Sequence, residues 1–255
     1  MRFLVAIPVH NEAAHVHAVI PRVQEHADDI LVVDDGSSDG TAARLAGYDV
    51  RVIRHAVNRG YGAALRSSFA FAAREGYDWV LTMDCDGQHE PASIPAFRSR
   101  AAIGGVDLIS GTRYPGGSAA AGRAGDEAPS DRRAINRIIT AELNERLAGR
   151  LGAGLTDAFC GFKAHRVGAL GELSLDEDGY AFPMQLWVQT AAAGHRVEEL
   201  PVARIYNDPS RSFGGVLDDP ETRLEHYRRA MHRELVKQAE RLPAGAAAGS
   251  SARRR

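Results

Sequence analysis

Short apolar runs alternate with stretches of helical period through the first 110 positions of the chain. The runs predict strands at 3–7, 30–33, 50–53, 79–83 and 106–109. Most are β-branched and nearly continuous, the pattern of strands covered on both faces. Helices are predicted between them at about 12–27, 39–46, 61–75 and 91–102. This alternation predicts an α/β fold, a mostly parallel central sheet flanked by helices.

The pattern changes at 111–130, where glycine, alanine and proline replace large apolar residues. So long a stretch without periodicity predicts a mobile loop. An amphipathic helix follows at 131–147, with Ile135, Ile138, Ile139, Leu143 and Leu147 on one side. A helix near 181–193, a strand near 196–206 and a last helix at 218–242 complete the reading. In the last helix Leu224, Tyr227, Met231 and Leu235 recur at helical spacing. One domain therefore spans 1–242, and the Ala/Gly/Ser-rich 243–255 predicts a disordered tail.

Composition narrows the class. The chain has 255 residues, 44% of them hydrophobic, which excludes fibrous and disordered proteins. Its 31 basic and 33 acidic side chains give a net charge of −2, so the field that nonspecific nucleic-acid binding needs is missing. Cys85 and Cys160 form neither a disulfide framework nor a zinc motif. They read as reduced thiols of a cytoplasmic protein. No window reaches the roughly 18 apolar residues of a membrane span. Pro8 and the polar 10–12 stop the first apolar run too early for a secretory signal. Peripheral attachment at the inner face of a membrane stays open.

Candidate chemistry begins with MDCDGQH at 83–89, directly after a predicted strand. Asp84 and Asp86, two apart at a strand end, present carboxylates to one spot, and ligands of open α/β sheets bind at such ends. Two carboxylates suit Mg²⁺ or Mn²⁺ that takes its other ligands from water and a phosphate. Turn and cap residues before Pro91 are an equal reading on spacing alone. A second acidic strand end, ILVVDDGSSDGT at 30–41, tips the balance. Asp34 and Asp35 near Asp84 and Asp86 would repel unless a cation or sugar hydroxyls lie between them. Asp39 reads as a helix cap. The polar loop PVHNE at 8–12 adds a third element to the same edge. The glycine pair in NRGYG at 58–62 is weak evidence for a dinucleotide site and is better explained by a helix start that packs close to the nucleotide loops.

Taken in order, PVHNE, DDGSSDGT, NRGYGAALRSSF, MDCDGQHEP, GTRY, TDAFCGFK and GYAFPMQLWVQ resemble the family-two glycosyltransferases of GT-A fold, notably the dolichyl-phosphate mannose synthase-like branch. The resemblance covers about residues 3–215. It implies metal-dependent, inverting transfer of a sugar from a GDP- or UDP-linked donor, with a membrane lipid phosphate such as a polyprenyl phosphate as acceptor. It places Pro8, Asn11, Glu12, Asp35, Arg59, Gly60 and Asp84 around the donor, with Arg204 and Arg211 closing over its diphosphate. It assigns the metal to Asp84, Asp86 and Gln88, and the acceptor phosphate to Arg113 with Arg132 or Arg133. Asp157 lies where relatives carry an acidic residue near the reaction centre. Asp86 and Asp157 are thus the expected catalytic residues.

Two departures bear on the acceptor. Gln185 stands where the branch has a glutamate, and an amide is no base. The segment YNDPSRSFGG at 206–215 is two residues longer than its counterpart. A phosphate acceptor is ionised and needs no base, whereas a hydroxyl needs a carboxylate, for which Asp157 is the candidate. Two rival readings stand beside the enzyme. A catalytically silent nucleotide-sugar-binding or scaffold protein is kept alive by Gln185. A sugar-phosphate nucleotidyltransferase would carry a GxGTR-type loop where this chain has PVHNE.

Remaining features have simpler readings. His89 reads as a solvated or capping loop histidine, with a site role the lesser alternative. Cys85, Trp79 and Trp187 read as core, and Tyr180 and Phe182 as packing residues. The 131–147 helix, with Arg132, Arg133 and Arg137 near its start, reads as packed on the protein rather than lying on a membrane.

Overall fold

A computed structural model of the chain describes residues 1–115, 128–207 and 212–248. Seven strands form one sheet: β1 (Phe3–Val9), β2 (Ile30–Asp34), β3 (Arg51–Arg54), β4 (Trp79–Thr82), β5 (Leu108–Thr112), β6 (Lys163–Arg166) and β7 (Val197–Pro201). Their order is β3-β2-β1-β4-β6-β5-β7, and β6 alone runs against its neighbours β4 and β5. The principal helices are α1 (Ala13–Gln24), α2 (Thr41–Leu45), α3 (Tyr61–Arg74), α4 (Ile94–Ile103), α5 (Ser130–Leu147), α6 (Val167–Leu170), α7 (Phe182–Ala193) and α8 (Pro220–Lys237).

Strand periodicity divides the core into two layers. Val5, Ile7 and Val9 of β1 face α1 and α4, packing with Val16, Ile20, Ile94 and Phe97. Leu4 and Ala6 face the other way, onto Ala64, Leu65 and Phe69 of α3. Every residue of β1, β2 and β4 is buried, as their unbroken apolar runs predict. A third cluster joins α5, α7 and α8 through Ile139, Leu143, Trp187, Tyr227 and Met231. The apolar side of α5 is therefore consumed by protein contacts.

The strand reading holds for the first half with shifted ends. β3 is an edge strand rather than a covered one, with Arg51, Val52 and Arg54 exposed. β6 escapes a search for apolar runs because it reads Lys-Ala-His-Arg, yet Lys163 and His165 are buried. Burial holds the His165 imidazole neutral, its pKa down at about 3, with Lys163 adding to the shift. Only 197–201 of the predicted 196–206 is strand. The last helix stops at Lys237 and continues as a short 3₁₀ turn, Ala239–Arg241. Residues 243–248, expected in a disordered tail, fold back instead. Ala246 is buried, and Arg146 of α5 donates to the carbonyls of Ala246 and Ala248. The central part of the predicted mobile loop, 116–127, and the tail beyond 248 lie outside the described residues.

Candidate active site

The carboxyl ends of β1, β2 and β4 open into a cleft of about 550 Å³. Pro8, His10 and Glu12 line it after β1, Asp35 after β2, and Asp84, Asp86, Gln88 and His89 after β4. The lining also takes in Arg113, Arg132, Tyr180, Phe213, Arg223 and Tyr227. Sheet topology explains the convergence, because parallel strands deliver their exit loops to one edge.

Side-chain to backbone bonds fasten these loops together. Asn11, at φ +57°, accepts from the Ser38 amide at 2.9 Å, while its own amide donates to Ser37 Oγ at 2.9 Å. Asp39 accepts from the Ala13 and Thr41 amides, both at 3.0 Å, so it serves the first turns of α1 and α2 together. Asp35 is 3% exposed. Its Oδ1 accepts from the Arg59 amide at 2.9 Å and its Oδ2 from the Gly60 amide at 2.7 Å. Gly60 at φ +103° and Gly62 let the start of α3 press onto the 177–179 backbone, where a Cβ on either would overlap a carbonyl. The close approach that requires these glycines is therefore made to the Asp178 segment and not, as expected, to the nucleotide loops; the Asp178 carbonyl accepts from the Gly62 amide at 2.7 Å.

The acidic pair after β4 sits in a tight polar knot. Asp86 Oδ1 accepts from the Gln88 amide at 2.9 Å, and the Asp86 carbonyl from Asn207 Nδ2 at 2.9 Å. His89 is buried, not solvated: its Nδ1 accepts from the Asp84 amide at 2.9 Å, and its ring stacks on Phe162. Burial, the largest single influence, works against a charged His89, yet Asp84, Cys160 and Asp86 together outweigh it and the pKa is raised. Burial, then Asp84, push the Tyr61 hydroxyl well above its ordinary range. A Cβ on Gly161 would stand 2.7 Å from Asp84 Oδ2 and 3.0 Å from Tyr61 Oη, so a side chain there would displace the Asp84 carboxylate. Among the described residues, no three His, Cys, Asp or Glu side chains group to hold a metal alone. Asp84 and Asp86 fit a hard divalent ion that completes its shell with phosphate and water, the usual habit of Mg²⁺.

Asp157 is placed differently from the expectation. It is wholly buried, does not line the cleft, and accepts from Arg113 Nε at 2.7 Å and Arg113 Nη2 at 2.9 Å. Asn136 Nδ2 donates to it at 2.8 Å. Burial alone would raise its pKa, but the charge and hydrogen bonds of Arg113 prevail and hold it at about 2. A carboxylate so held is a poor base at neutral pH. Its role here is to fix Arg113, which also donates to Tyr206 Oη at 2.9 Å.

Gln185 likewise stands away from the cleft. Its Oε1 accepts from the Asp176 and Glu177 amides at 2.7 and 2.8 Å, and its Nε2 donates to Glu234 at 3.0 Å. It clamps the 176–177 loop and α8 onto α7. Of the other expected site residues, the Arg59 and Arg133 side chains are exposed and do not line the cleft. Arg204 is half-buried outside the lining, as Asn11 is outside it on the surface. Arg211 lies outside the described residues. Sequence reasoning missed Arg223, 3% exposed and paired with Asp131, because one arginine on a polar helix gives no signal. It also missed Phe213, whose ring lies between the Arg132 and Arg223 guanidinium groups at 4.8 and 4.6 Å.

A mostly parallel sheet with acidic loops at one edge is the architecture of a nucleotide-sugar transferase of GT-A fold. Glucosyl-3-phosphoglycerate synthase from Mycobacterium tuberculosis, solved with Mn²⁺, UDP and glucosyl-3-phosphoglycerate, superposes with a TM-score of 0.69. The match covers 96% of this chain and 82% of that one at 20% identity, a likeness of fold. Residues 4–173 match the glycosyl transferase family 2 model, and the chain belongs to that family. The undecaprenyl-phosphate mannosyltransferase of Micrococcus luteus is 32% identical over 86% of this chain and 90% of its own length. The polyprenol monophosphomannose synthase of Mycolicibacterium smegmatis is 34% identical over 79% of this chain and 76% of its own. The protein is accordingly a glycosyltransferase, which removes the nucleotidyltransferase reading. No helix among the described residues is long and apolar enough to cross a membrane.

Proposed function

We propose that the protein is a metal-dependent, inverting hexosyltransferase that moves a sugar from a nucleoside diphosphate to a polyprenyl phosphate. The observation that carries this reading is the mixed charge of the cleft: carboxylates Asp35, Asp84 and Asp86 share its lining with the cations Arg113, Arg132 and Arg223. Asp84 and Asp86 would hold Mg²⁺ or Mn²⁺, with Gln88 beside them. When bound, the ion neutralises charge on the leaving diphosphate. Pro8, Glu12, Asp35 and Gly60 form the nucleoside end. Arg204 and Arg211 are proposed to approach the diphosphate. Arg113, locked by Asp157 and Tyr206, presents a preorganised cation toward the acceptor side.

Asp157, paired with Arg113 and held at about 2, is a poor base for a hydroxyl acceptor. A phosphate oxygen, already ionised at neutral pH, attacks without one. This favours the phosphate acceptor, in line with the two mannosyltransferase relatives. The silent-scaffold reading loses its support, since Gln185 is a packing residue that does not line the cleft.

Thermal unfolding with UDP or GDP, each with and without Mn²⁺, tests the donor site. A ligand at about 100 times its dissociation constant adds roughly 2.7 kcal/mol, and one nucleotide should do so only with metal. Asp86→Ala should erase that metal-dependent shift. An unchanged shift in Asp86→Ala removes the metal assignment, and no shift with either nucleotide removes the donor site.

A further inference from the structure

His55 directly follows β3 and belongs to none of the motifs' polar residues, yet it is buried against the nucleoside end of the cleft. Its Nδ1 lies 2.6 Å from Asp35 Oδ1 and its Nε2 2.9 Å from Ser67 Oγ on α3. An ionised carboxylate only accepts, so Nδ1 donates to Asp35; in the neutral ring Nε2 then accepts from the Ser67 hydroxyl. His55 and Ser67 are not among the cleft-lining residues, so the relay is no nucleophile pair despite its serine–histidine–aspartate order.

The relay changes what Asp35 can do. A carboxylate offers about four acceptor positions. Oδ1 takes the His55 ring and the Arg59 amide, and Oδ2 takes the Gly60 amide. One position on Oδ2 is left, on a residue that lines the cleft.

We propose that His55, backed by Ser67, is a positioning residue that locks the Asp35 carboxylate so that one Oδ2 position receives a single N–H or O–H donor of the donor's nucleoside. This rests on the reading of Asp35 as the nucleoside carboxylate. Without the ring, Oδ1 loses a charge-assisted partner and the carboxylate can turn away from the ligand. The loop after β4, proposed for the diphosphate end, is a separate element from those that carry the relay.

Calorimetric titration of the full chain with UDP and GDP in Mn²⁺, and with Mn²⁺–pyrophosphate, tests the idea. His55→Phe should weaken the preferred nucleotide by about 10- to 100-fold, the range for a lost bond to a charged group, and leave pyrophosphate within about twofold. His55→Asn, which keeps one N–H donor, should recover much of the loss, and Ser67→Ala should weaken the nucleotide by a few fold. Wild-type nucleotide affinity in His55→Phe overturns the proposal. So does an equal loss of nucleotide and pyrophosphate, which marks a merely structural role. Asp35→Asn separates the two readings: unchanged nucleotide binding there removes the nucleoside carboxylate and this inference together. Loss in Asp35→Asn with none in His55→Phe overturns this inference alone.

Discussion

Asp157 shows how little a residue's place in a motif says about its task. The TDAFCGFK segment puts an acid at the right distance along the chain, but the fold turns that acid inward onto Arg113. Removing one partner of such a buried pair strands the other charge, at a cost of about 3–5 kcal/mol. Asp157→Asn should therefore lower stability by that order in urea unfolding at pH 7. Its pKa is depressed from 3.8 to about 2, so its contribution is complete above the unfolded value and is lost as pH falls toward 2. The pH-linked part is on the order of 2 kcal/mol. Unfolding curves taken between pH 6 and 2.5 should fall in the wild type and be flatter by that amount in the variant. The acidic strand ends themselves were legible, because two such ends on one edge of a sheet would repel without a cation or sugar hydroxyls between them. The partners that define the buried acids were not: His55 beside Asp35, and Arg113 and Asn136 beside Asp157, come from separate stretches of chain.

At the level of elements, apolar periodicity gave the positions of β1, β2 and β4 and the apolar side of α5. It failed at β6, where Lys163 and His165 are buried on a strand without an apolar pattern. Lys163 finds the Cys160 carbonyl and lies over the Trp187 ring at 5.1 Å, partners that no local pattern announces. A similar lesson attaches to α7, whose Gln185 and Gln189 both donate to the buried Glu234 of α8, at 3.0 and 2.9 Å. Gln185 Nε2 also donates to Asp176 at 2.5 Å. Gln185→Glu would set a third carboxylate against these two and delete both donors. It should cost roughly 2–4 kcal/mol, by like-charge burial and lost hydrogen bonds, without raising transfer activity. Thermal unfolding and a transfer assay on the variant check both halves. Higher activity would restore this position to the reaction centre.

Across the whole molecule, the residues proposed for the nucleoside and the metal come from the β1–β4 half, and Arg113, Arg132 and Arg223 from elements around β5–β7. Nucleotide with Mn²⁺ should then slow amide exchange in the loops at 8–12, 35–37, 58–61 and 84–89, while the far ends of α5 and α8 exchange as before. Mass-spectrometric hydrogen exchange reads this directly, and protection confined to the α5–α8 side would misplace the donor. The reversed direction of β6 makes the two halves meet. Antiparallel pairing sets Lys163, where β6 begins, opposite Thr82, where β4 ends. Had β6 run parallel, its entry would lie at the opposite edge of the sheet, about 10 Å away over the 4 residues of the strand. Gly161 and the Asp157 segment would then stand behind the sheet. A single reversed strand thus lets chain arriving at the sheet, as well as chain leaving it, supply walls for one chamber. Drift in the loops leading into β6 is felt at the acidic pair as directly as drift in the loops that follow β4.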